Sequence, residues 1–62
     1  MNERHCLVVD DDADFRAVLS RALTRRGYRV SAVADIAAGL ALAADDAPQD
    51  VVLDLRLGED SG

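Results

Sequence analysis

The sequence predicts an α/β fold, with parallel strands in a small sheet and helices on its faces. Two apolar runs carry the first part of this reading. Cys6-Leu7-Val8-Val9 and Val51-Val52-Leu53 are short, unbroken and each followed by aspartate. Such runs read as strands buried on both faces, the kind found in parallel sheets. The third observation is the alternation of strand-like and helix-like periods, which gives the order β-α-β-α-β and implies parallel strands.

Each element has its own signal. Residues 5–10 form the first strand and lead into Asp10-Asp11-Asp12. Asp12 is the predicted N-cap of a helix over 13–26, with Asp14 in its first turn favoured by the helix dipole. Phe15, Val18, Leu19, Ala22 and Leu23 recur at helical spacing and make one apolar face. Arg16, Arg21, Arg25 and Arg26 look outward, and the last two suit the negative helix end. Gly27 is the predicted C′ residue.

Residues 28–33 alternate apolar and polar, as an edge strand with one open face does. Asp35 caps a second helix over 36–46, whose Ile36, Leu40, Ala43 and Ala44 share a face. Gly39 costs that helix about 1 kcal/mol relative to alanine, and Ala47-Pro48 ends it. The third strand spans 50–54, after which Gly58 and Gly62 favour a turning loop.

An edge-like second strand beside two buried ones fits the order 2-1-3. Right-handed crossovers then put the helices on opposite faces. The two acid-tipped strands become neighbours, ~4.8 Å apart, and Asp10, Asp11 and Asp54 meet at the point where open α/β sheets bind ligands.

Composition narrows the function. The 62 residues allow one small domain, which buries only ~60% of its unfolded surface. Half of the residues are apolar, against disorder. Twelve acids against seven arginines give a net charge of −5, which argues against general affinity for nucleic acid or an anionic membrane. Cys6 is the single cysteine, so no disulfide framework exists and a reducing cytoplasm is the expected compartment. No apolar run approaches the ~20 residues of a membrane span, and Met1-Asn2-Glu3-Arg4 lacks a signal-peptide h-region.

An acid run after a strand is ordinarily no more than a solvated helix N-terminus. The second acid-tipped strand makes the difference. Clustered carboxylates repel, and a hard cation such as Mg2+ offsets the repulsion through one or two of them plus waters and phosphate oxygens. Asp54 is then placed as a nucleophile toward a phosphoryl group. Asp10, Asp12 and Asp14 imitate the start of an EF-hand loop, but Phe15 and Arg21 stand where that loop needs Gly and Glu.

These residues match a known pattern. Leu7-Val8-Val9-Asp10-Asp11-Asp12 resembles the acidic pair after the first strand of response-regulator receiver domains. Pro48-Gln49-Asp50-Val51-Val52-Leu53-Asp54 resembles the approach to their phosphorylated aspartate, and Gly62 falls where they keep a glycine. The resemblance implies a flavodoxin-like (CheY-like) fold, Mg2+ held by Asp10, Asp11, Asp54 and the carbonyl of Arg56, and phosphorylation of Asp54. It also implies a sensor histidine kinase or phosphotransfer protein as partner, and an output domain.

Asp54-Leu55-Arg56-Leu57-Gly58 is similar to the RegA/PrrA/ActR redox regulators, whose output is a DNA-binding helix-turn-helix. Leu57-Gly58 departs from the Met-Pro common after the acceptor. Receivers also end a fourth strand on Thr or Ser and a fifth on Lys, and these 62 residues include neither. The expectation is thus the amino-terminal half of a receiver over 1–62, ending after the phosphoacceptor strand and loop. In such a fragment the outer edge of strand three would be unpaired, Val51, Val52 and Leu53 would lose the neighbours that cover them, and helix one would lose a packing companion. It would do no enzyme turnover and would self-associate through its third strand.

A haloacid-dehalogenase-like phosphatase fragment, with Asp10 as nucleophile and Asp12 as acid/base, is the rival; nothing in it explains Asp54. An inert truncated remnant is the other. His5 and Cys6 read as fillers of the first strand, and Tyr28 as packing on the sheet.

Overall fold

The computed structural model describes residues 4–54. Its elements are β1 (His5–Asp10), α1 (Ala13–Arg25), β2 (Arg29–Val33), α2 (Ile36–Asp45) and β3 (Asp50–Asp54). The sheet is parallel throughout, in the order β2-β1-β3. Both helices end within a residue of the boundaries expected from their caps.

Those caps form as their chemistry requires. Asp12 accepts from the backbone N–H groups of Asp14 (3.0 Å) and Phe15 (3.2 Å) and starts α1. Asp35 accepts from the Ala38 N–H at 2.8 Å and starts α2. Gly27 ends α1 with φ +98°, a left-handed conformation that glycine adopts without penalty. The Gly27 N–H then reaches the Thr24 carbonyl and the Tyr28 N–H the Leu23 carbonyl, the two bonds of a Schellman motif.

The core is β1. Cys6, Leu7, Val8 and Val9 are the fully buried apolar residues among those described. Leu7 and Val9 face α2, because a Cβ on Gly39 would lie 3.1 Å from Val9 and 3.7 Å from Leu7. Gly39 is the one buried residue of α2, so its missing side chain is what lets the helix approach β1 and β2. Right-handed crossovers, first one way across the sheet and then back past β1, place α1 on the other face.

His5 is buried at the start of β1. Its Nε2 lies 2.8 Å from the Ser31 hydroxyl, and its Nδ1 lies 3.8 Å from an Asp46 carboxylate oxygen at the end of α2. Gln49 clasps the same residue twice: its side-chain oxygen accepts from the His5 N–H (2.7 Å) and its own N–H donates to the His5 carbonyl (2.9 Å). That clasp sets the start of β3 against β1.

The exposed surfaces fall where strand three and helix one were expected to lack neighbours: Val51 and Leu53, apolar enough for a strand buried on both faces, are 56% and 57% exposed. The strand is an edge: β1 covers one side, and no described element lies beyond it. The apolar face of α1 also stays largely open, with Phe15 and Val18 exposed and no residue of that helix fully buried. Leu40 and Ile36 of α2 are open in the same way.

Candidate functional site

Parallel pairing brings the carboxyl ends of β1 and β3 to one edge of the sheet, with Asp10 in register beside Asp54. The chain leaves β1 toward β2 on one side and returns to β3 on the other, so this edge is a topological switch point.

The three successive acids at the end of β1 divide their work. Asp10 is buried, and its Oδ1 accepts from the Asp12 N–H at 2.9 Å, which turns the chain from strand to helix. The Asp12 carboxylate is committed to the N-cap of α1. Asp11 is exposed at the mouth of the site. Asp54 is half-buried at the end of the neighbouring strand.

One residue was misread in the sequence. Arg16, expected to look outward, is half-buried and donates from Nη1 to the Asp10 carbonyl at 2.8 Å. It is the fourth residue of a helix that starts three residues beyond Asp10. A long cation there reaches back to the strand end, which is the signal that could have found it. Arg16 therefore fixes the backbone that carries Asp10.

The second carboxylate oxygen of Asp10, Oδ2, is buried with no hydrogen-bond partner. Leaving such an oxygen unmet is costly, and a bound cation meets it well. The donors at this edge are carboxylate oxygens, which suit Mg2+. Among the described residues no three His, Cys, Asp or Glu side chains are grouped so as to hold a metal ion. Asp10, Asp11 and Asp54, expected to converge, are not grouped in that way. Arg56, expected to add a carbonyl, and the loop glycines Gly58 and Gly62 lie outside the described residues.

Residues 6–62 match the response regulator receiver domain. The chain belongs to that family. This receiver sequence is 42% identical over 60 residues to the acid tolerance regulatory protein ActR of Sinorhizobium medicae, covering 97% of this chain and 31% of that protein. It is 38% identical over 61 residues to the photosynthetic apparatus regulatory protein RegA of Rhodobacter capsulatus, covering 98% and 33%. With the transcriptional regulatory protein PrrA of Mycobacterium tuberculosis it shares 41% over 51 residues, 82% of this chain and 22% of that one. The chain therefore spans about a third or less of the length of the curated relatives it matches. No solved structure matches it.

The rival readings of the acids lose ground on the same geometry. An EF-hand loop has no room where α1 already begins at Ala13. A phosphatase would need Asp12 as its acid/base, and in this receiver Asp12 caps a helix instead. No helix among the described residues is long and apolar enough to cross a membrane.

Proposed function

We propose that the chain supplies the first three strands of a receiver and that Asp54 is its phosphoacceptor. The observation that carries the reading is the pairing of Asp54 with a buried Asp10 that keeps one oxygen unmet, in a member of the receiver family. One Asp54 oxygen attacks the phosphorus of a histidine kinase or phosphotransfer protein's phosphohistidine. The P–N bond breaks, the imidazole leaves with the electron pair and takes a proton, and Asp54 becomes an acyl phosphate. Asp10, Asp11, Asp54 and the Arg56 carbonyl would hold Mg2+, which when bound neutralises charge on the transferring oxygens. Arg16 keeps Asp10 in place through its carbonyl.

In this reading the chain is a phosphorylated signalling module of the cytoplasm and turns over no separate substrate. Two relatives are named regulatory proteins and one a transcriptional regulatory protein, which supports control of transcription as the output.

The test is labelling by a small acyl-phosphate donor with Mg2+, in the chain joined to the remainder of its receiver. Borohydride reduction should convert residue 54 to homoserine in the wild type and leave Asp54→Asn unlabelled with its fold intact. Undiminished labelling of Asp54→Asn would overturn the assignment.

A further inference from the structure

Three hydrogen bonds close a ring where β1 becomes α1. Asp10 Oδ1 accepts from the Asp12 N–H at 2.9 Å, and the Asp12 carbonyl accepts from the Arg16 N–H at 2.9 Å. Arg16 Nη1 then donates to the Asp10 carbonyl at 2.8 Å and completes the circuit. We propose, resting on the reading of Asp10 as a Mg2+ ligand, that Arg16 is a positioning residue for the phosphorylation site. Its guanidinium holds the Asp10 main chain so that the unmet Oδ2 stays ready for the cation.

The place of Arg16 on its helix is unusual for an arginine. Arg16, Leu19, Ser20 and Leu23 are half-buried, and the other residues of α1 are exposed. Their spacing puts the four on one stripe, and α1 packs on β1 and β2. Leucines occupy the later turns of that stripe, yet its first place carries a permanent charge. A charged group there is costly unless its donors are met. The donor is met at Asp10, which stands one residue past the ladder that pairs β1 with β2 from His5 to Val9. An apolar side chain could cover the same surface and could not hold that carbonyl.

Two observations tie the ring to the site and not to the turn alone. The helix has its own start, since Asp12 accepts from the Asp14 and Phe15 N–H groups without help from Arg16. The residue that the ring grips at both carboxylate and carbonyl is also the one whose remaining oxygen is buried and unmet. Outer partners of this kind orient metal ligands, and their loss costs about 10- to 100-fold in metal affinity.

The sign of the effect separates positioning from charge. A guanidinium near the acids repels a cation, so by charge alone its removal would tighten Mg2+ binding. Loss of positioning weakens it.

Calorimetric Mg2+ titration of the chain joined to the remainder of its receiver reads that sign. Arg16→Met keeps a stem on the sheet and removes the donor. Its Mg2+ dissociation constant should rise on the order of tenfold. Arg16→Lys should regain part of the loss, and Arg21→Met, at an exposed arginine of the same helix, should match the wild type. Labelling by a small acyl-phosphate donor gives a second readout. Arg16→Met should need more Mg2+ for half its maximal rate and approach the wild-type rate at saturation, whereas a merely weakened fold would lose rate at every Mg2+ concentration. Because Arg16→Met could fail to fold, the wild type carries its own measurement. The Arg16 Nη protons should be resolved from those of the other arginines by NMR and should shift with the Asp12 amide as Mg2+ is added. Mg2+ binding in Arg16→Met as tight as in the wild type, or tighter, would overturn the proposal. So would Arg16 protons that are averaged with the rest and blind to Mg2+. If Asp10→Asn still abolishes Mg2+ binding in that case, only the role of Arg16 falls. A wild type without affinity for Mg2+ would overturn the site itself and the role of Arg16 with it.

Discussion

Asp10 and Asp54 stand side by side in register at the ends of two parallel strands, Asp10 buried and Asp54 half-buried. Parallel pairing is what makes this possible, since it brings carboxyl ends together; an antiparallel pair would set them at opposite edges. The two acids differ in support. Asp10 accepts from the Asp12 N–H with one carboxylate oxygen and from Arg16 with its carbonyl, so it is held in place. Asp54 ends the neighbouring strand and is half-buried.

The unmet Oδ2 of Asp10 separates two substitutions at that position. Asp10→Ala removes the acceptor of the Asp12 N–H and should cost about 1–3 kcal/mol of stability. Asp10→Asn keeps an oxygen for that bond and removes the unmet charge, so the metal-free protein should melt no lower than the wild type. Mg2+ should raise the wild-type melting temperature, because it binds the folded site, and should do so far less in Asp10→Asn. Thermal melts with and without Mg2+ check this. Equal responses in wild type and Asp10→Asn would remove Asp10 from the metal site.

Gly39 gives a prediction opposite in sign to its helix propensity. Replacing a helical glycine with alanine ordinarily gains about 1 kcal/mol. Here the new methyl would meet Val9 at 3.1 Å and Val33 at 3.6 Å, inside the contact between α2 and the sheet. Gly39→Ala should show none of the usual gain, and Gly39→Leu should be clearly destabilised as α2 is pushed off β1. Denaturant melts of both variants decide it; a Gly39→Leu protein as stable as the wild type would show that α2 does not pack here.

What the sequence made legible and what it did not divide along a physical line. Local chemistry was readable: the Asp12 and Asp35 caps and the Gly27 terminus follow from side-chain and backbone preferences within a few residues, and the strand order from the edge-like alternation of the second strand. The candidate pair Asp10 and Asp54 was readable because strand polarity and order place it. Contacts set by packing were not. The sequence shows Gly39 as a cost to its helix, and only the approach of α2 to Val9 makes it a requirement. Nothing in the sequence marks Gln49 as a contact of His5, and the clasp comes only from the packing of β3 against β1.

Cys6 should be a slow thiol. Burial in β1 pushes its pKa up, with the negative charge of Asp50 adding to the effect. The thiolate is the reactive form, so a raised pKa and lack of access both suppress reaction. A thiol-reactive chromophore should label Cys6 only as the fold opens, at a rate that climbs with denaturant. Immediate full labelling of the native protein would mean that β1 is not the shielded centre of the sheet.

Acid should loosen the outer ties of the fold before its core. Arg29 hydrogen-bonds the Asp46 carboxylate at 2.8 Å and holds its pKa below the ordinary value, joining the start of β2 to the end of α2. Arg4 does the same to Asp50, joining the residue before β1 to β3. A carboxyl group depressed in the folded state binds its proton more readily when unfolded. Its contribution to stability is therefore present above the unfolded pKa, near 3.9, and is lost as the pH falls through the lower folded value. Both pairs are exposed, so salt screens them and each contribution is small. Stability of the wild type should fall as the pH drops below about 4, and the double variant Asp46→Asn/Asp50→Asn should start lower at neutral pH and fall less steeply. High salt should narrow the difference between the two. Parallel acid limbs for wild type and double variant would show that these ion pairs do not contribute, and that acid acts on the fold through other carboxylates.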